Sequence, residues 1–211
     1  MPAVSHRRLV AHFTRVDPVM ASLAREIGPC GLRRVELDSP FRHLVEAIIA
    51  QQISGKAAAS IQQRLLAALG TRGGKFPTAK RILATPIDIL RGAGLSRAKA
   101  MAVQDLAAKS EAGIVPNVRT LDALEDALII ERLTQIRGIG PWTVQMMLMF
   151  QLGRPDVLPV TDFGVRSGFR LAYRKRQLPT PGQLARFGVR WAPYRSAAAW
   201  YLWRATERVA D

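Results

Sequence analysis

Apolar residues recur along this chain at the spacing of helix faces. Phe41, Leu44, Val45, Ile48 and Ile49 stand at i, i+3, i+4, i+7 and i+8, one buried face of a helix. Ala58, Ile61, Leu65 and Leu69 follow Ser54, whose hydroxyl can cap a first turn. Val19–Ile27 has helical spacing as well. A short helix is predicted from Pro86, a longer one from Ser96 to about Ala112, and further helix from Thr120, as cap, to Ile136. Helix resumes after a glycine break and runs to about Leu152. Another starts near Asp162, and a last one covers Ser196–Val209. The Gly- and Pro-bearing stretches 69–77, 153–162 and 177–183 read as loops, and Val115–Val118 as extended around Pro116. No segment reads as a strand, so the expected fold class is all-α.

The glycine break is the most informative stretch. In IRGIGPWTV (136–144) two glycines one residue apart interrupt an apolar helical run, and Pro141 and Trp142 follow at once. Glycine permits positive φ and close approach of another backbone. Gly138 and Gly140 can therefore close a tight hairpin between two helices. Its amides, with the N-terminus of the next helix, form an anion site that needs no side chain. Pro141 suits a first turn, where its missing N–H costs nothing. Taken alone, the stretch is equally a helix–helix turn without a ligand. LRGAGLSRAKAM (90–101) echoes IRGIGPWTVQMM (136–147), which suggests that helix, tight turn, helix is a repeated device.

Charge shifts the balance towards a polyanionic partner. The 211 residues carry 31 Lys and Arg against 16 Asp and Glu, a net charge of +15, which says little about fold and more about partners. Ten of the basic residues fall in 163–211, against only Glu207 and Asp211. They interleave with Trp191, Tyr194, Trp200, Tyr201 and Trp203. This is either a solvated basic face over an aromatic core or a phosphate-contacting surface beside an aromatic pocket. No apolar run approaches the ~20 residues of a membrane span, and the opening MPAVSHRRLVAHF has no apolar h-region. A soluble, cytoplasmic protein is expected. The charge is spread over helices rather than gathered on one amphipathic anchor, which argues against a membrane-surface role. A single cysteine, Cys30, excludes an internal disulfide and a cysteine-ligated iron–sulfur cluster. The scattered His6, His12 and His43 form no zinc pattern.

LTQIRGIGPWTVQMMLMF followed by LPVTDFGVRSGF resembles the helix-hairpin-helix (HhH-GPD) DNA glycosylase superfamily, in which a hairpin precedes a Gly/Pro-rich loop and a catalytic aspartate. FRHLVEAIIAQQIS (41–54) and PYRSAAAWYLWR (193–204) also resemble its 3-methyladenine DNA glycosylase II branch, and the similarity spans roughly 35–205. The resemblance implies an all-α, two-lobed fold: lobe one at about 1–54 plus 170–211, lobe two at about 55–169 with the hairpin. The N-terminal β domain of larger members is not expected. The implied activity is hydrolysis of the N-glycosidic bond of alkylated bases in double-stranded DNA, by a monomer that requires no cofactor.

Roles follow from the same resemblance. Asp162 matches the catalytic aspartate, and a carboxylate there can stabilise the oxocarbenium-like sugar and orient or deprotonate water; without that context it is an ordinary N-cap. Trp142 stands where lyase-competent relatives carry a nucleophilic lysine, and an indole cannot form a Schiff base. Trp142 and Trp203 match pocket aromatics for a flipped, cationic base. Met146, one turn from Trp142, replaces an aromatic there. Gln51 falls at a pocket position and Gln52 at that of a wedge that enters the duplex. Gly138, Gly140 and Thr143 match phosphate-binding positions. The family hairpin often holds a monovalent cation, Na or K, on backbone carbonyls, here those of Thr134, Ile136 and Ile139. Asp156 reads as a solvated turn residue. Two rivals remain open: a lyase using another lysine, such as Lys99, and a non-catalytic hairpin protein that binds DNA or recognises lesions.

Overall fold

The computed structural model describes residues 4–71 and 75–207, and among them every regular element is a helix. In chain order these are α1 (His6–Val16), α2 (Pro18–Ile27), α3 (Pro40–Ala50), α4 (Gly55–Ala68), α5 (Ala79–Leu83), α6 (Ile87–Gly92) and α7 (Arg97–Glu111). They continue with α8 (Val118–Ala123), α9 (Asp126–Leu133), α10 (Pro141–Phe150), α11 (Phe163–Ala172), α12 (Pro181–Gly188) and α13 (Arg195–Glu207), with one 3₁₀ turn at Val189–Trp191. The all-α expectation holds. Part of the 69–77 loop and the end of the last predicted helix, at Val209, lie outside the described residues.

Helix starts are written in short polar side chains. Ser54 accepts from Ala57 N, Ser96 from Lys99 N and Asp162 from Val165 N, each at the predicted position. The cap of α8 is Asn117 rather than Thr120, because the Asn117 side chain reaches the Thr120 N–H at 2.9 Å. Helix α9 stops at Leu133, short of the predicted Ile136, and residues 134–138 form turns. Helices α1, α5 and α12 were not legible as periodic runs. Two of them are short, and α1 buries only Leu9 and Phe13.

The chain divides into two compact units, Leu37–Val144 and Met1–Glu36 with Gln145–Asp211. Residues 37–54 thus belong with the hairpin rather than in lobe one, and 145–169 belong with the C-terminal helices rather than in lobe two. In the Leu37–Val144 unit, α3 packs on α4 and α7, and α5 and α6 also pack on α7. Leu44, Val45, Ile48 and Ile49 of the predicted face are fully buried there. Phe41 is only half-buried.

In the other unit α11 lies against α13, and α2 packs on α1, α11 and α13. The α11–α13 approach needs glycine: a Cβ on Gly168 would fall 1.9 Å from Leu202 O. Asp17, only 3% exposed, joins α1 to α2. Its Oδ1 accepts from Met20 N at 3.1 Å, and its Oδ2 accepts from Trp191 Nε1 at 2.8 Å and Tyr173 OH at 2.5 Å. A buried carboxylate is tolerated when donors surround it in this way. Burial, with the neighbouring Asp17, pushes the Tyr173 hydroxyl far above its ordinary value.

Candidate active site

The loop before Asp162 is fastened to the start of α13. Arg195 grips Asp156 with both arms, Nε to Oδ1 at 2.7 Å and Nη2 to Oδ2 at 2.8 Å. Asp156 is therefore not the solvated turn residue expected. Burial opposes its ionisation, but Arg195 outweighs burial and holds the carboxyl below its ordinary value. Ser196 N donates to Pro155 O at 3.0 Å and Ser196 Oγ accepts from Val157 N at 2.9 Å. Val157 and Leu158 are buried, and Asp162 N donates to Pro159 O at 3.0 Å. The chain reaches Asp162 with little freedom left.

Asp162 then begins α11. Its Oδ1 accepts from Val165 N at 2.7 Å and from Trp203 Nε1 at 2.8 Å. Two donors on one oxygen fix the orientation of the carboxylate at the positive end of a helix dipole. The structure thus gives Trp203 a task the sequence did not suggest: its N–H orients the carboxylate. One indole face is stacked on Phe150, 5.9 Å between centroids. Gly164 makes the contact feasible, since a Cβ there would lie 2.8 Å from Trp203 Cδ1 and 3.2 Å from Asp162 Oδ1. Met146 is half-buried on α10.

The remaining candidates lie at 134–143 and at the end of α3, within the Leu37–Val144 unit. Gly138 has φ +78 and is exposed, as the turn requires. Gly140 has no positive φ, contrary to the expectation that both glycines shape the turn, and a Cβ on it would meet nothing within 4 Å. Its smallness leaves room for an approaching group and is not needed by the backbone. Thr143 lies in the first turn of α10, among amides with no partner inside the helix. Trp142 is 45% exposed, so it is not a core residue. Ile136 O accepts from Ile139 N at 3.0 Å, and the Thr134 and Ile139 carbonyls belong to the same turn at the negative end of α9. Neutral carbonyl oxygens are hard donors that suit hard cations.

Gln51 is half-buried, and its Nε2 donates to Gly138 O at 2.7 Å, which ties its amide to the hairpin. Gln52 is exposed with φ +58, a left-handed backbone that a non-glycine residue adopts at a cost. Lys99 donates to Ile49 O and Gln51 O, both at 2.7 Å, and partial burial lowers its pKa. An amine held by two carbonyls is badly placed to attack a sugar, which removes the structural basis of the Lys99 lyase reading. The echo between 90–101 and 136–147 is not a repeat in geometry either. Its positive φ is at the second glycine, Gly94, whereas the hairpin uses the first, Gly138.

Sequence reasoning missed the residues that pin the hairpin. Asp105 Oδ2 accepts from Arg137 N at 2.7 Å and from Lys109 Nζ at 2.8 Å, and Lys109 also donates to Gln135 O. Burial opposes ionisation of Asp105, but the Arg137 N–H and Lys109 outweigh it, and its pKa falls below the ordinary 3.8. An i,i+4 acid–base pair on a helix gives no hint of such a target. Gly164 and Gly168 were legible in principle. Glycines four apart in a helix, with the small residues of RSAAAW in another, signal close helix packing.

Comparisons with known proteins identify the family and the fold. Residues 45–193 match the profile of the HhH-GPD superfamily of base excision DNA repair proteins. The chain is 37% identical to DNA-3-methyladenine glycosylase 1 of Schizosaccharomyces pombe over 201 residues, covering 95% of this chain and 87% of that protein. A solved structure of the S. pombe 3-methyladenine DNA glycosylase in complex with abasic DNA superposes with a TM-score of 0.81 at 34% identity, covering 95% of this chain and 97% of that one. The Bacillus halodurans DNA-3-methyladenine glycosidase superposes with a TM-score of 0.84 at 31% identity, covering 100% and 94%. With a family match across residues 45–193 and relatives more than 30% identical over nearly the whole chain, this chain belongs to the HhH-GPD superfamily of base excision DNA repair proteins.

Proposed function

We propose that this protein is a monofunctional DNA glycosylase. It hydrolyses the N-glycosidic bond of alkylated bases, of the 3-methyladenine and 7-methylguanine type, in double-stranded DNA during base excision repair. The observation that carries the reading is Asp162, an N-cap carboxylate fixed by Val165 N and Trp203 Nε1 at the end of a fastened loop. The relatives named 3-methyladenine glycosylases, and the one solved on abasic DNA, support the substrate class.

In this reading the C1′–N bond breaks and its electron pair leaves with the base, neutralising a cationic alkylated purine. Asp162 stabilises the positive charge left on the sugar. Water adds to C1′ and gives its proton to the carboxylate. Trp142 supplies an indole face for the flipped base, and no lysine stands there to cleave the strand. The amides of Gly138, Gly140 and Thr143 take a backbone phosphate. Gln52 fills the gap in the stack and can hydrogen-bond the orphaned partner base. The backbone carbonyls of Thr134, Ile136 and Ile139 would hold a Na or K ion, which would supply positive charge for a DNA phosphate at the same turn. The protein acts as a monomer on duplex DNA.

Asp162→Asn tests the reading on methylated duplex DNA. Base release is expected to fall at least about 100-fold while duplex affinity stays within about twofold. A wild-type protein that releases no base, or a variant that releases as much, leaves only a hairpin protein that binds DNA.

A further inference from the structure

The turn after α3 is held by groups that the proposed chemistry does not use. Lys99 reaches it from α7 and donates to Ile49 O and Gln51 O. Gln51 in turn donates to Gly138 O on the hairpin. Gln52, the next residue, is exposed in a left-handed conformation that persists where its surroundings fix it. The same helix supports the hairpin. A Cβ on Gly138 would lie 3.4 Å from Ala102 Cβ, Asp105 takes the Arg137 N–H, and Lys109 reaches Gln135 O. Residues 99, 102, 105 and 109 fall along one stripe of α7 at helical spacing. One end of the stripe carries the Gln52 turn and the other carries the hairpin.

The physical consequence is preorganisation. The last carbonyls of a helix have no partner inside it, and a lysine at that end satisfies them while complementing the dipole. Without these bonds an exposed turn samples many conformations, and ordering it on DNA opposes binding and insertion. With them, the backbone of 49–52 is fixed relative to Gly138 before DNA arrives.

We propose that Lys99 and Gln51 are positioning residues that hold Gln52 in its turn and tie it to the phosphate-binding hairpin, so that the wedge enters the stack in register with the backbone grip. The inference rests on the reading of Gln52 as the wedge.

The test is a double-mutant cycle on single-turnover release of 7-methylguanine from methylated duplex, with Lys99→Met, Gln52→Ala and their combination. Lys99→Met is expected to slow release about tenfold in the wild-type background, the equivalent of one lost charge-assisted hydrogen bond. In the Gln52→Ala background it is expected to add less than about twofold, because its effect runs through Gln52. Lys99→Arg, which keeps donors for both carbonyls, retains most of the rate. Should the Met variant fail to fold, Lys99→Gln replaces it in the cycle under the same criterion. An equal loss in both backgrounds, no loss at all, or an Arg variant as slow as Met overturns the positioning role. A Gln52→Ala protein as fast as wild type overturns the wedge reading and this inference with it. An impaired Gln52→Ala with an additive cycle overturns this inference alone.

Discussion

Gly164→Ala separates the orientation of the carboxylate from the presence of the carboxylate. The added Cβ would stand 2.8 Å from Trp203 Cδ1 and 3.0 Å from Nε1. Carbon atoms pack at about 3.5 Å or more, so the indole must retreat by about 0.7 Å. The Trp203–Asp162 bond then stretches from 2.8 Å to about 3.5 Å, beyond useful hydrogen-bond length. A hydrogen bond to a charged group is worth about 1.5–3 kcal/mol. If all of it serves the transition state, release slows about 10- to 100-fold. Stability changes less. Alanine favours a helix over glycine by about 1 kcal/mol, against an overpacking cost of about 1–3 kcal/mol. The net cost of about 0–2 kcal/mol lowers Tm by at most about 8 °C for a chain of this size. Single-turnover release from methylated DNA, alongside thermal melting, measures both. Trp203→Phe is the companion variant: it keeps an aromatic ring beside Phe150, removes the donor along with part of the indole's volume, and should lose a similar factor. Either variant releasing base at the wild-type rate would show that Asp162 does not need the Trp203 donor.

The two hairpin glycines divide stability from binding. Gly138→Ala places a side chain at φ +78 and should lower stability by about 1–2 kcal/mol, seen as a lower Tm. Gly140→Ala has open space and an ordinary φ, so its Tm should hold while duplex affinity falls; an unchanged affinity would remove Gly140 from the phosphate site. Asp105→Asn tests the hairpin's anchor. Because the folded pKa is lowered, the stabilisation is complete above the unfolded value of 3.8 and is lost as pH falls through the folded one. With both partners about a third exposed, the Tm deficit of the variant should correspond to about 1 kcal/mol near neutral pH and close below about pH 4. A deficit that does not vary with pH would refute the assignment.

What the sequence made legible follows from how local each signal is. A cap acts within four residues, so Ser54, Ser96 and Asp162 were readable, and with them the position of the proposed catalytic carboxylate. The α3 face was readable because its burial repeats every turn. The supports of the site were not, because they join distant residues through single atoms. Gln51 to Gly138 spans 87 positions, Lys99 to Gln51 48, and Trp203 to Asp162 41. No periodicity marks a side chain that donates to a distant carbonyl. The lobe boundaries failed for a related reason. Residues 37–54 end in a turn that looks like a linker, yet α3 packs on α7 and is bonded through Lys99.

These supports also bear on why a small catalytic apparatus suffices. An amine nucleophile needs a lysine with freedom to approach the sugar. By the resemblance Trp142 stands where that lysine would be, and Lys99 is committed to two carbonyls. Water is left as the nucleophile, and water must be directed. An alkylated purine that departs as a neutral base needs little help from an acid, so the demand falls on holding one carboxylate and one wedge in place. Among the described polar contacts, one group bears on each task. Arg195, Ser196, Trp203 and Gly164 serve Asp162, and Lys99 and Gln51 serve Gln52. If the proposed roles hold, broad tolerance among alkylated bases is expected, because the devices that order the site act on the sugar and the gap rather than on the base. A release panel over 3-methyladenine, 7-methylguanine and hypoxanthine duplexes should therefore rank substrates by the lability of their glycosidic bond. A neutral hypoxanthine released as fast as a cationic purine would mean that side chains beyond Trp142 read the base itself.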